Sequence, residues 1–238
     1  MIDIHCHILP GVDDGAADLV EAVKMAEIAL ADGISGIVAT AHIKEPLIDR
    51  QFLFTCHKML TKCLEKRLIP VDIFLGGEVS IFIDSSVSKF YTINKTRYIL
   101  VEFPDVHLSK NAGETLFNLI VNGFRPIIAH PERNSSILRK PDILFDLLNM
   151  QVLVQITAGS ITGMFGPDSR ACARFLLQKG VVSFIASDAH SAGHRRPVLS
   201  EGVQAAGKII GKQEALKLVT TNPRVMLADE PISPGTED

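Results

Sequence analysis

An α/β chain closed into one barrel of seven βα units is the architecture this sequence predicts. Short apolar runs alternate with amphipathic stretches from end to end, the pattern of repeated βα units. Most of the apolar runs are nearly unbroken Ile, Val, Leu and Phe, as parallel strands buried on both faces require. No linker or composition break divides the 238 residues, which favours one barrel over two small domains.

The first strand is expected over residues 1–5. A helix follows over 18–31, where Leu19, Val23, Ala26, Ile28 and Leu30 recur at helical spacing and Asp32-Gly33 supplies the stop. Strands over 35–40 and 72–75 flank a helix over 52–66, and a strand over 98–102 leads to a helix over 113–122. The remaining strands, 126–129, 152–156 and 182–186, lead into helices over 138–149, 168–179 and 201–210, with 212–219 as an extra helix. Asn122-Gly123 and Lys179-Gly180 repeat the stop signal. The barrel is expected over 1–229, with 230–238 a frayed tail. A doubly wound open sheet is the alternative, but no GxGxxG-type phosphate loop follows any strand.

The chain is 47% hydrophobic and 21% charged, enough apolar material for a large core. A net charge of -3 gives no basic face for a nucleic-acid backbone, so no nucleic-acid partner is expected. No apolar run approaches the roughly 18 residues that span a bilayer, and the first residues, Met1-Ile2-Asp3-Ile4-His5, lack the regions of a signal peptide. A cytoplasmic protein without membrane insertion is expected; its oligomeric state is left open. The four cysteines, Cys6, Cys56, Cys63 and Cys172, show no CxxC spacing, in keeping with reduced thiols.

The polar residues fall where the chemistry of such a barrel would sit. The first five strands and the seventh run into His5-Cys6-His7, His42, Glu78, Glu102, His130 and Asp188-Ala189-His190. The C-terminal ends of barrel strands share one face, so these side chains should converge, and imidazoles with carboxylates suit a metal that prefers nitrogen and oxygen. Side chains two apart on extended backbone point the same way; His5 and His7 should therefore face one centre while Cys6 turns into the wall as a small buried hydrophobe. Asp13-Asp14-Gly15 offers either a ligand or an acceptor behind one. Cys56-His57 is read as a feature of a solvated helix face, and His107 and His194, in loops, as either substrate contacts or ordinary loop histidines. Arg133 and Arg195-Arg196 follow strands that carry candidate ligands. A guanidinium fork matches phosphate oxygens, so a phosphate ester is the expected substrate class.

The opening Ile2-Asp3-Ile4-His5-Cys6-His7-Ile8-Leu9-Pro10-Gly11-Val12-Asp13-Asp14-Gly15 resembles the start of the polymerase-and-histidinol-phosphatase (PHP) superfamily. More closely it resembles the bacterial tyrosine-protein phosphatases of capsule and exopolysaccharide operons, the CpsB/YwqE type. Further matches are Ala39-Thr40-Ala41-His42, Gly76-Gly77-Glu78, Val101-Glu102-Phe103-Pro104, Ala129-His130-Pro131-Glu132-Arg133-Asn134, Ala158-Gly159-Ser160-Ile161-Thr162-Gly163 and Ser187-Asp188-Ala189-His190, in family order over nearly the whole chain. The resemblance implies a distorted (βα)7 TIM-like barrel, the PHP fold, with up to three metal ions. Manganese is the first expectation, with iron, magnesium, cobalt or zinc as alternatives. It implies His5, His7, Asp14, His42, Glu78, Glu102, His130, Asp188 and His190 around the metals and Arg133 and Arg195 on the phosphate. It also implies hydrolysis of phosphotyrosine on the tail of a bacterial tyrosine kinase that controls polysaccharide export. Two positions depart from the family: Ala41 stands where proline is usual, and Cys6 where serine is usual.

A cysteine phosphatase needs an arginine six residues after its thiolate, and counting on from the four cysteines gives Val12, Lys62, Ile69 and Gln178. The nucleophile is therefore expected to come from water activated by metal ions, with His42 or a water as proton donor to the leaving phenolate. The rivals are another PHP phosphomonoesterase, such as a histidinol-phosphatase, and a non-catalytic barrel that binds a phosphoprotein.

Overall fold

The computed structural model describes residues 1–45, 47–106, 108 and 111–232. Seven strands, β1 (Ile2–Cys6), β2 (Gly36–Ile43), β3 (Asp72–Ser80), β4 (Tyr98–Glu102), β5 (Arg125–Ala129), β6 (Leu153–Thr157) and β7 (Phe184–Ala186), pair in sequence order, all parallel. Around them lie α1 (Leu19–Ala31), α2 (Arg50–Lys66), α3 (Ser85–Ser88), α4 (Ala112–Val121), α5 (Ser135–Arg139), α6 (Asp142–Leu148), α7 (Ala158–Thr162) and α8 (Gly166–Gln178). They are followed by α9 (Ser200–Ile210), α10 (Lys212–Lys217) and α11 (Thr221–Leu227). Among the described residues no helix is long and apolar enough to cross a membrane.

The seam between β1 and β7 explains the distortion. At the mouth the two edges are joined by a parallel bridge between Cys6 and Ala189, with Asp188 N donating to His5 O and His7 N to Ala189 O, each at 2.8 Å. At the other end they part, and the turn after α10 fills the gap: Ile2 N donates to Val219 O at 2.8 Å. Buried backbone groups need such partners, so the open end is closed by loop rather than by strand.

The inward-facing positions carry an apolar lower layer and a polar upper one. Ile2, Ile4, Val38, Tyr98, Leu100, Ile127, Leu153, Phe184 and Ala186 pack together inside the barrel, closed off by Met226 of α11. Further along β2, β3 and β4 the same alternation brings three polar side chains to the mouth: His42 four residues beyond Val38, Glu78 four beyond Phe74, and Glu102 two beyond Leu100. β1 achieves this with a bulge: Asp3 pairs Ile37 but Cys6 pairs Ala39, so one extra residue stands on β1. That extra residue lets Ile2 and Ile4 fill the interior while His5 and His7 still face the mouth, and Cys6 packs in the outer core.

Several expectations are corrected. β2 and β3 run on to Ile43 and Ser80, so His42 and Glu78 are strand residues rather than loop residues, and Ala41 pairs Gly77 within the sheet. The helix expected over 138–149 is two helices, because Pro141 pushes Lys140 out of helical geometry (φ -146, ψ 84). The face α1 buries is Ala22, Val23, Met25, Ala26 and Ala29, with Leu30 exposed. Asp18, expected inside that helix, is its N-cap, accepting from Glu21 N at 2.9 Å, a contact worth about 1 kcal/mol. The short helices α3, α7 and α11 carry too few residues for a periodic signal. At the start of the expected tail, Tyr98 Oη donates to Glu230 O at 2.5 Å and accepts from Ile232 N at 3.1 Å. Residues 233–238 lie outside the described residues.

Candidate metal centre

At the mouth the candidate ligands come within reach of one another. Glu78 stands at the middle: Oε1 lies 2.8 Å from His130 Nε2 and 3.3 Å from His5 Nε2, and Oε2 lies 2.8 Å from His42 Nδ1 and 3.4 Å from His7 Nε2. Asp188 Oδ1 lies 3.4 Å from His5 Nε2 and 3.5 Å from His7 Nε2. Asp14 Oδ1 lies 3.4 Å from His42 Nε2 and 3.6 Å from His190 Nε2, although Asp14 is 67% exposed. Glu102 Oε2 is 3.5 Å from His42 Nδ1. Donor atoms lie within 4.8 Å of one another in four sets: His7, Asp14, His42 and His190; His5, Glu78 and His130; His5, His7 and Asp188; His42, Glu78 and Glu102.

Two of these residues reach the mouth through left-handed backbone, His130 (φ 31) and Asp188 (φ 52), a conformation uncommon outside glycine, though histidine and aspartate adopt it more readily than most, and one that gathers at functional sites. At Gly15 a Cβ would lie 2.1 Å from His7 O; only glycine lets the loop fold over the end of β1. The same loop separates the roles of its carboxylates. Asp14 reaches the cluster, whereas Asp13 stands behind it, accepting from His7 Nδ1 (2.7 Å), His42 N (3.0 Å) and Gly15 N (3.0 Å).

The arrangement fits metal ions. Glu78 Oε2 and His42 Nδ1 are buried only 2.8 Å apart, yet neither has a hydrogen-bond partner among the described residues, and such orphaned groups call for an explanation. Nitrogen and carboxylate oxygen donors around shared carboxylates suit divalent ions of intermediate hardness. Without ions, burial raises Glu78 but His5, His130 and His42 hold it well below the usual carboxylate range. Burial pulls His42 down, and Glu102 and Glu78 more than offset it, raising its imidazole to about 10. A raised histidine keeps its proton until the pH passes that value, and an ion that takes this nitrogen displaces the proton. Adding divalent metal to the stripped protein at about pH 7.5 should therefore release protons, and apparent affinity should rise with pH. Calorimetry in two buffers of different ionisation enthalpy checks this; no net release would contradict it.

Gln155 and Asp3 are site features the sequence reading missed. Gln155 occupies an inward position on β6 and accepts from His5 Nδ1 at 2.9 Å through Oε1, which leaves Nε2 for the cluster; its only signal is an amide in an apolar run. A partner behind a ligating histidine fixes tautomer and orientation, and its loss costs roughly 10–100-fold in metal affinity. Gln155→Leu is expected to weaken metal retention by that factor, measured by competition with a chelator, and unchanged retention would contradict it. Asp3 ties β1 to the Asp188 segment, accepting from Ser187 N at 3.0 Å and from Ser187 Oγ at 2.5 Å; burial raises its carboxyl to about 6.

The arginines flank the cluster. Arg133 Nη1 and Arg195 Nη2 both donate to Asp188 Oδ2, the former at 2.5 Å. Their side chains are 17% and 24% exposed, and Arg195 Nε is buried without a partner among the described residues. Glu132 fixes the turn that carries Arg133, its Oε1 accepting from Thr157 N (2.9 Å) and Thr157 Oγ1 (3.0 Å). Arg196 and His194 are exposed, and His194 lines a cleft of 520 Å³ with Asp14, His190 and Arg195. His107 lies outside the described residues. Cys56-His57 is not a solvated feature: Cys56 is buried, and His57 Nε2 donates to Ile73 O at 2.7 Å, holding α2 to β3. Burial, aided by the Asp3 and Asp188 carboxylates, raises the Cys6 thiol well above its ordinary value, and burial pushes Cys172 up to about 12.

Barrel and mouth together define a βα-barrel protein with a candidate metal centre at the C-terminal ends of its strands. The chain belongs to the CpsB/CapC family: the profile described as "Capsular polysaccharide synthesis, CpsB/CapC" matches residues 1–228. It is 36% identical over 242 residues to tyrosine-protein phosphatase YwqE of Bacillus subtilis (strain 168), covering 98% of this chain and 93% of that protein. A solved structure from work on YwqE of Bacillus subtilis and CpsB of Streptococcus pneumoniae, described there as unique metal-dependent tyrosine phosphatases, superposes with a TM-score of 0.92. It is 33% identical, and each chain is covered in full. A histidinol phosphate phosphatase from Lactococcus lactis shares the fold alone, at a TM-score of 0.58 and 16% identity over 90% of this chain and 93% of that one.

Proposed function

We propose that this protein is a metal-dependent protein-tyrosine phosphatase, using His5, His7, Asp14, His42, Glu78, Glu102, His130, Asp188 and His190 to hold its ions. The observation that carries the reading is the meeting of those donors with two guanidinium groups at one barrel mouth, in a chain 36% identical to a protein named a tyrosine-protein phosphatase. Divalent ions in such a site supply Lewis acidity and a nucleophile made from water near neutral pH. Arg133 and Arg195 bind the phosphoryl oxygens. A guanidinium has five N–H donors, so each keeps donors beyond the one given to Asp188, and the orphaned Arg195 Nε is one of them. They neutralise charge on the equatorial oxygens as the ester bond breaks.

Both ring nitrogens of His42 face carboxylates, Nδ1 toward Glu78 and Nε2 toward Asp14, which favours a place among the ligands over proton donation. A phenolate is a good leaving group and gains least from a protein acid, so a water serves. Asp13 and Gln155 hold His7 and His5 in the tautomer that leaves Nε2 free. Manganese is the proposed resident ion, the phosphorylated tail of a bacterial tyrosine kinase the substrate, and the cytoplasm the location; the family's link to capsular polysaccharide synthesis supports the kinase. Turnover of a phosphotyrosine peptide and of histidinol phosphate by the same preparation tests this. Preference for the peptide is expected, and preference for histidinol phosphate would overturn it.

A further inference from the structure

The segment Ala158-Gly159-Ser160-Ile161-Thr162-Gly163 takes no part in the chemistry above, yet it leads to a side chain that touches both phosphate-side arginines. Met164 and Phe165 form a short turn between Gly163 (φ 98) and Gly166 (φ 91). The half-buried ring of Phe165 lies against α7, where a Cβ on Gly159 would come within 2.9 Å of Phe165 Cε2. Glycine at 159 is the space that the ring uses. The ring meets two cations: Arg133 Cζ lies 4.6 Å from its centroid and Arg195 Cζ 5.6 Å.

Two guanidinium groups drawn to one carboxylate oxygen repel each other. Asp188 brings a single negative charge, and its other oxygen faces His5 and His7. An aromatic ring attracts a cation through the negative potential over its face and takes up no N–H donor in doing so. A second carboxylate at that place would hold the arginines as well but would occupy the forks and repel a phosphate.

We propose that Phe165 is a positioning residue of the phosphate site, its ring holding Arg133 and Arg195 side by side with their donors left for phosphoryl oxygens. This rests on the reading of the two arginines as phosphate binders.

The test compares Phe165→Leu, Phe165→Tyr and Arg133→Ala as purified holoenzymes, by KM and kcat on para-nitrophenyl phosphate, inhibition by inorganic phosphate, and metal content. Phe165→Leu should raise KM and the phosphate inhibition constant by about tenfold, or about 1.4 kcal/mol, with metal content kept. Phe165→Tyr retains the ring face and should stay within about twofold of the parent. In an Arg133→Ala background the effect of Phe165→Leu should shrink, since one contact is already gone. Unchanged phosphate inhibition in Phe165→Leu, or equal damage from Phe165→Tyr, would overturn the proposal and leave the arginine reading intact. A parent-like Arg133→Ala would overturn both. Should Phe165→Leu fail to fold, Gly159→Ala displaces the ring without changing it and is expected to raise the phosphate inhibition constant; no rise would overturn the proposal.

Discussion

Glu78→Gln is expected to lower turnover of a phosphotyrosine peptide by roughly 10³-fold or more and to leave the purified protein short of metal. Glu78 faces His5 and His130 with one oxygen and His7 and His42 with the other, and it belongs to two of the four donor sets. The amide has the same shape, but one of its two ends becomes an NH2 group that can neither ligate an ion nor accept from an imidazole. It also removes the buried charge set against four imidazoles, and a buried polar cluster that loses a partner is destabilised by the groups left unpaired. Elemental analysis, turnover and thermal melting of parent and variant report these effects separately. A Glu78→Gln protein with a full metal complement and parent-like kcat would remove Glu78 from the centre.

Replacing both arginines should have the next largest effect. Arg133→Ala and Arg195→Ala each remove a fork from the phosphate side, and loss of one charge-stabilising donor in a transition state costs roughly 10²–10³-fold in rate. The double variant should lose more than either single one, but less than the product, because both guanidinium groups meet at Asp188 Oδ2 and act as a unit. Lysine in their place keeps the charge and loses the fork, so Arg133→Lys should recover only part of the loss. Metal content should be unchanged, which separates this effect from that of Glu78→Gln. Parent-like kcat/KM in the double variant would remove the arginines from the site.

Much of the centre was legible in the sequence because parallel strands are apolar by necessity, so a polar residue at a strand's end stands out. His5, His7, His42, Glu78, Glu102, His130 and Asp188 all announce themselves in that way, and the topology brings them together. What was not legible depends on backbone detail. The bulge in β1 sets which face Ile4 and His5 occupy, and nothing in Ile2-Asp3-Ile4-His5 marks the extra residue. The chain lengths of β2 and β3 depend on pairing with each other, so His42 and Glu78 read as loop residues when each strand is judged alone. Asp13 and Asp14 are chemically equal in sequence; only the turn at Gly15 sends one to the cluster and the other behind it. His57 has the spacing of a surface residue, and its bond to Ile73 O appears only once α2 is laid on β3. Phe165 carries no signal in the sequence, because the two arginines that meet its ring follow β5 and β7, distant in the chain.

The most direct measurement is hydrolysis of a phosphotyrosine peptide by the native protein after exposure to a thiol-alkylating agent, before chelation, after full chelation, and after manganese is restored. Cys6, Cys56 and Cys172 are buried, so only a reactive, accessible thiolate would be lost to the reagent. Alkylation alone should leave turnover near that of the parent, chelation should abolish it, and restored metal should bring it back. Activity that survives complete removal of metal, or that disappears on alkylation while the metal content stays whole, would contradict the account.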